Sequence, residues 1–170
     1  MTTIDVTSRD NPLLVKLRKL VRSGSAYRRA GSMWIEGEHL CSAAIARQFV
    51  PTQAVISESG WADDALRELA AQAPRTARLP DALFAELSTL ESPARIGFLV
   101  DAPVEQPLRP DAASVVLDRV QDAGNVGSIL RSASAMGFAQ VIALQGTAAL
   151  WSPKVLRAGM GAHFALHLVE

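Results

Sequence analysis

The residues best placed to do chemistry run in one string, Asp122-Ala123-Gly124-Asn125-Val126-Gly127-Ser128-Ile129-Leu130-Arg131. It follows a strand-like run, Val115-Val116-Leu117, and passes into a helical pattern that Gly137 ends. In open α/β sheets ligands bind beyond the carboxyl ends of strands, where a helix start offers free N–H groups to anionic or polar atoms. Gly124 and Gly127 permit close approach of the backbone. Val126, Ile129, Leu130 and Ala133 share one helical face, which turns Ser128, Arg131 and Ser132 to the other side. An arginine there can fork onto a phosphate or a ribose oxygen. The spacing equally admits a plainer reading, a helix capped by Asn125 with an ordinary surface arginine. A dinucleotide-binding turn fits less well, because only Gly124-x-x-Gly127 is present and no acid lies in Val141 to Trp151. A P-loop is excluded, since no Gly-Lys-Ser/Thr follows.

The elements that must hold this string alternate between strand and helix. Asn11-Pro12 with Leu13, Leu14, Leu17, Leu20 and Val21 predicts an amphipathic helix that stops at Gly24. Ser32 to Ile35 predicts a strand, His39 to Phe49 a helix, Gln53 to Ser57 a strand and Ala62 to Gln72 a helix. Arg78-Leu79 is a short strand, Asp81 to Ser88 a helix and Ile96 to Val100 a strand. The three prolines of the stretch from Asp101 to Asp111 predict an extended linker. Beyond it come strands at Ser114–Leu117, Val141–Leu144 and Phe164–Val169, with helices at Val126–Met136 and Pro153–Arg157. This is an α/β fold with largely parallel pairing, divided into residues 1–100, a linker 101–112 and residues 113–170.

With 49% hydrophobic residues and no apolar run near the roughly 20 residues that span a bilayer, the chain of 170 residues is expected to be soluble and cytoplasmic, without a signal peptide. Cys41 is alone, which rules out an internal disulfide, and its apolar neighbours place it in a buried helix. His39, His163 and His167 lack ligand spacing, so no metal is implied. Trp34, Trp61 and Trp151 read as core or interface anchors. The net charge of zero hides a segregation of charge. Arg9, Lys16, Arg18, Lys19, Arg22, Arg28 and Arg29 face only Asp10 in the segment 9–29, whereas acids dominate 51–113. The basic run is either a solvated helix face or a nucleic-acid surface. Tyr27 beside Arg28 and Arg29 favours RNA, because stacking plus cationic contacts is how unpaired bases are held.

Taken together, Leu117-Asp118-x-x-x-Asp122-x-Gly124-Asn125-x-Gly127-x-x-x-Arg131-x-x-x-x-x-Gly137-Phe138 resembles the first motif of the SpoU/TrmH-type RNA ribose 2′-O-methyltransferases of the SPOUT superfamily. Ser152-Pro153-Lys154-Val155-x-Arg157-Ala158-x-x-Gly161-Ala162 is similar to the segment that follows it in that family. Thr7 to Pro12, Tyr27-Arg28-Arg29 and Ile35-Glu36-Gly37-Glu38 are similar to the family's substrate-binding domain, an α/β module resembling certain ribosomal proteins.

The resemblance implies a trefoil-knotted, Rossmann-like carboxyl domain, S-adenosylmethionine as cofactor, a homodimer at full length, and methylation of a ribose 2′-hydroxyl in structured rRNA or tRNA. Asn125 and Arg131 match the family's active-site Asn and Arg. Gly124 and Gly127 match its loop, and Arg9, Lys16, Arg18, Lys19, Arg28, Arg29 and Ser128 become the expected RNA contacts. Ala123 replaces a common proline, and Gly159 a common serine, which leaves one hydroxyl fewer. The family's Gly-Asn-Glu-Gly and Ser-Leu-Asn loops, which hold most of the cofactor, do not occur before Glu170. The 170 residues alone are therefore expected to be inactive, with cofactor-binding residues unassigned. The alternative is a non-catalytic RNA-binding fragment or module, and a weaker third possibility is a nucleotide-binding α/β protein of another class.

Overall fold

The computed structural model describes residues 2–103 and 106–170. Val104 and Glu105, in the middle of the expected linker, lie outside the described residues, as does Met1. The amino-terminal part forms one five-stranded sheet from β1 (Thr2–Asp5), β2 (Ser32–Glu36), β3 (Pro51–Ser57), β4 (Arg75–Leu79) and β5 (Ile96–Asp101), in the order β1-β4-β3-β5-β2. Its helices are α1 (Pro12–Arg22), α2 (Ala26–Ala30), α3 (Glu38–Ala46), α4 (Glu58–Trp61), α5 (Asp64–Ala70) and α6 (Asp81–Ala85).

Pairing among the described strands is largely parallel, as expected, but this sheet is mixed. β1, β4 and β3 run parallel, but β5 lies antiparallel between β3 and β2. Every residue of β2, and Ile96 to Val100 of β5, is buried. A strand covered on both faces reads as a continuous apolar run whatever its direction. β1 was invisible for the opposite reason. All four of its residues are exposed, and it is a strand only by pairing with β4, where Arg78 Nε and Asp5 close the register at 2.7 Å.

α1 follows from its sequence. The Asn11 side chain accepts from Leu13 N at 2.9 Å, Pro12 starts the helix, and Leu14, Leu17 and Leu20 bury its inner face. The helix expected from Ala62 to Gln72 is α5, which begins at Asp64 because the Asp63 side chain caps it by accepting from Ala65 N and Leu66 N; the short α4 just before it was not expected.

The carboxyl-terminal part is a parallel three-stranded sheet in the order β6-β7-β8, built from β6 (Ser114–Leu117), β7 (Gln140–Ala143) and β8 (His167–Val169). α7 (Ala123–Ala135) and α8 (Pro153–Gly159) pack on each other, and a 3₁₀ turn, Ala162–Ala165, precedes β8. That turn replaces the first half of the expected last strand, and it buries Phe164 against Phe49 with ring centroids 4.9 Å apart. Trp151 lies 6.1 Å from the same Phe49, so the two sheets share one core. Cys41 and Trp34 are buried in that core, as their neighbours predict, and Trp61 is partly buried at its margin. No helix among the described residues is long and apolar enough to cross a membrane.

Candidate functional site

The chain leaves β6 through a loop that its neighbours hold rigid. Leu144 N and Thr147 Oγ1 both donate to Leu117 O, at 2.9 and 3.0 Å, and Ala148 N donates to Val120 O at 2.9 Å. The loop ends in Asp122, whose carboxylate accepts the Asn125 N–H at 2.7 Å. Asp122 is therefore the cap of α7, which corrects the Asn125-cap reading and leaves the Asn125 carboxamide exposed. Val126 and Leu130 are fully buried, and Ala133 nearly so. Asn125, Ser128, Arg131 and Ser132 are exposed. Among the described residues Arg131 enters no ion pair, so its fork is available to an anion at the edge of α7.

The two glycines of this string do different work. Gly124 is exposed at the helix start. Gly127 is buried, and a Cβ added there would lie 2.3 Å from Ala158 Cβ and 2.6 Å from the Ala158 carbonyl carbon. The close approach it permits is between α7 and α8, a correction to its expected place in a ligand-facing loop. Gly159 is shaped by the same packing. A Cβ there would lie 2.4 Å from His163 Cε1, so the imidazole takes the space that a serine side chain would need. His163 is fully buried, and Nε2–H donates to Leu150 O at 2.9 Å, which leaves Nδ1 without a partner. Burial pushes its pKa down to about 4, so the ring is neutral.

The basic segment divides. Arg9 is drawn to Glu86 at 2.6 Å, and Arg18, mostly covered, lies 3.4 Å from the same carboxylate. Arg28 pairs with Glu170 at 2.9 Å, and Lys16 donates to Ser32 Oγ at 2.9 Å. Tyr27 is buried, and its hydroxyl donates to Glu170. Burial, reinforced by that carboxylate, raises its pKa well above the ordinary phenol value. It cannot serve as the stacking platform the sequence suggested, because the ring is buried with the Arg28 guanidinium 5.6 Å from its centroid. Lys19, Arg22 and Arg29 enter no ion pair among the described residues. They line, with Lys16, Arg18 and the apolar Leu20, a groove of about 730 Å³ between α1 and α2. Of the expected RNA contacts, Lys16, Arg18, Lys19 and Arg29 thus come together, Arg9 and Arg28 lie elsewhere, and Ser128 stays with Arg131 on α7. Arg22 joins them in the groove, and its spacing of three from Lys19, which puts both on one helix face, is the signal the sequence carries for it.

Residues 112–170 match the family model described as the SpoU rRNA Methylase family. The mouse (Mus musculus) protein "rRNA methyltransferase 3, mitochondrial" is 32% identical over 168 residues, which is 92% of this chain and 39% of the mouse protein. The 23S rRNA (uridine(2479)-2'-O)-methyltransferase of Streptomyces viridochromogenes is 29% identical over 97% of this chain and 59% of its own length. Among solved structures, the SpoU methyltransferase AviRb from Streptomyces viridochromogenes, in complex with the cofactor AdoMet, superposes with a TM-score of 0.83 at 26% identity. That match covers 94% of this chain and 62% of AviRb. The chain spans about two fifths to three fifths of the length of the curated relatives it matches.

Proposed function

Residues 112–170 belong to the SpoU rRNA methylase family, and on that premise we propose that the protein transfers a methyl group from S-adenosylmethionine to a ribose 2′-hydroxyl of ribosomal RNA. The observation that carries the reading is the exposed, unpaired Arg131, held with Asn125 on a capped helix at the carboxyl end of a parallel strand, inside the matched segment. The two rRNA methyltransferase relatives favour ribosomal RNA over tRNA as the substrate.

The acceptor side of the chemistry follows from these residues. Methylating a hydroxyl requires holding its oxygen in line with the methyl group and stabilising the alkoxide that develops. With a pKa above roughly 12, an arginine is a poor base at neutral pH. Arg131 therefore anchors the adjacent phosphate and polarises the 2′-oxygen, while the Asn125 carboxamide orients the ribose. The hydrogen bonds of the loop before α7 fix the start of the helix from which both residues project.

The residues present do not by themselves fit the cofactor. The crevice at the ends of β7 and β8 is lined by Leu144 to Thr147, Tyr27, Arg28 and Glu170, and its charged groups are bound to one another. Among the described residues no unpartnered buried polar atom lines it. The reading places the donor in a part of the full-length protein outside residues 2–170, where a dimer partner would also be engaged. The amino-terminal unit, residues 1–100, acts as the RNA-binding module through the α1/α2 groove. The compartment is not fixed by the chemistry, since the mouse relative is mitochondrial by name.

The test is incorporation of a labelled methyl group from S-adenosylmethionine into ribosomal RNA by the natural full-length protein, mapped to one 2′-O-methylated nucleotide. Arg131→Ala should lower turnover by about 10²- to 10³-fold, the cost of removing one preorganised oxyanion stabiliser, while the melting temperature holds and RNA binding weakens only by the loss of one phosphate contact. Near-normal turnover in that variant would remove Arg131 from the role. A protein that binds RNA with no transfer at all would be the non-catalytic module instead.

A further inference from the structure

One buried charge in the molecule has no part in the site described so far. Glu36, at the end of β2, has a side chain 2% exposed, and neither carboxylate oxygen has a hydrogen-bond partner among the described residues. Taking a carboxylate out of water is costly unless a counter-charge and hydrogen bonds replace the lost hydration. The counter-charge is Arg157 on α8, whose Nη1 lies 3.5 Å from Glu36 Oε2. The other arm of that guanidinium, Nη2, donates to Thr89 Oγ1 at 2.8 Å, on the loop after α6. The amino-terminal unit therefore grips Arg157 at two points. The next residue, Ala158, is the one on which Gly127 of α7 rests, and Gly127 is one helical turn before Arg131. Glu36, Arg157, Ala158, Gly127 and Arg131 form a continuous line of contacts and covalent neighbours.

We propose that Glu36 and Arg157 are a positioning pair for methyl transfer. The carboxylate of β2 fixes Arg157, and with it the α8 backbone that sets where α7 presents Asn125 and Arg131 to RNA held by the amino-terminal unit. The inference rests on the proposed function. It adds that the two sheets are held in one working geometry by a charge pair rather than by apolar packing alone. A displacement of about 1 Å is enough to cost a positioned reaction a hundredfold, which is why a loose pair at this point reaches the chemistry.

The test compares wild type, Glu36→Gln, Arg157→Lys and the double variant in the natural full-length protein. Glu36→Gln keeps the shape and removes the charge, and Arg157→Lys keeps the charge and removes the two-point grip. Each single variant should lose about tenfold in kcat with KM for RNA within twofold of wild type. The double variant should lose no more than the worse single, since both break one unit. Amide hydrogen exchange of residues 126–131 should quicken in each, with β3 and β4 unchanged. A kcat within twofold of wild type, a loss expressed in KM, or a double variant whose losses multiply to about a hundredfold would each overturn the pairing. If Glu36→Gln does not fold, Arg157→Lys alone decides on the same kcat and KM criteria. If the wild type transfers no methyl group, the proposed function is at fault, and unchanged exchange at 126–131 in the variants would then overturn the pair on its own.

Discussion

The outer edge of α7 and the groove between α1 and α2 both present cations, and they arrive at them by opposite routes. α7 carries a single arginine, and everything around it conspires to leave that arginine free. Gly127 seats the helix on α8, Leu130 and Val126 bury its inner face, and Arg131 is left facing solvent, in no ion pair among the described residues. The segment 9–29 is dense in cations, and the fold neutralises several of them with acids remote in sequence. Glu86 takes Arg9 and Arg18, and Glu170 takes Arg28. The most exposed of these, Arg9 with Glu86, adds little stability. The consequence of the pairs lies elsewhere, because they decide which cations remain for an anionic partner.

The first way to break this comparison is at Gly127. In a helix interior, alanine is normally better than glycine by about 1 kcal/mol. At Gly127 the added carbon would meet backbone atoms of Ala158 and Gly159 at 2.6 and 2.7 Å, so α8 must shift. Gly127→Ala should therefore destabilise the protein by about 3 kcal/mol, the upper range for overpacking a core, and lose methyl transfer with it. Gly124→Ala, at the exposed helix start where the nearest atom is the Asp122 carboxylate at 3.1 Å, should stay within about 0.5 kcal/mol of wild type. Urea unfolding of the two variants side by side checks the contrast. Equal stabilities would mean that the helix crossing does not set the geometry of the edge.

The groove is tested by neutralising charges. Lys19→Gln, Arg22→Gln and Arg29→Gln together should weaken RNA binding by about 10- to 100-fold and reduce the salt slope of log K by about two, as the loss of two or three phosphate contacts requires. Arg9→Gln with Arg28→Gln, two cations of the same basic segment, should change affinity by less than about twofold, since both already have carboxylate partners. Filter binding across a salt series reads both numbers. A larger effect from the second pair would place the RNA surface on the other side of α2.

These contrasts show why the sequence disclosed some features and hid others. α7 was legible because its inner residues recur at helical spacing and its outward residues follow by geometry. Its cap was misassigned because Asp122 and Asn125 are both good caps, and only the 2.7 Å contact chooses between them. Tyr27 looked like a stacking group because of its basic neighbours. Its burial depends on Glu170, 143 residues away, a separation no local pattern can carry. The same holds for Glu36 and Arg157, which sit in separate motifs and meet only once the sheets pack. The mixed direction of the first sheet was unreadable for yet another reason, since strands buried on both faces keep no trace of which way they run.

The smallest expected effect concerns His163, which packs against Gly159 of α8. Its folded pKa, about 4, lies below the ordinary 6.5, because the buried ring is held neutral with Nε2–H on Leu150 O. Between those values the unfolded chain binds a proton that the folded chain refuses, so the contribution to stability is whole above pH 6.5 and is lost as pH falls toward 4. At about 1.4 kcal/mol per pH unit, this one ring should cost the wild type about 1 kcal/mol on going from pH 7 to roughly pH 5.5. His163→Leu should begin about 1–3 kcal/mol less stable at pH 7, because the buried Leu150 carbonyl loses its donor, and should then lack this part of the acid sensitivity. Urea midpoints of the two proteins must therefore converge as the pH is lowered. If they stay parallel, the imidazole is already charged in the fold, and the seam between the sheets is wetter than the packing of Trp151, Phe164 and Phe49 implies.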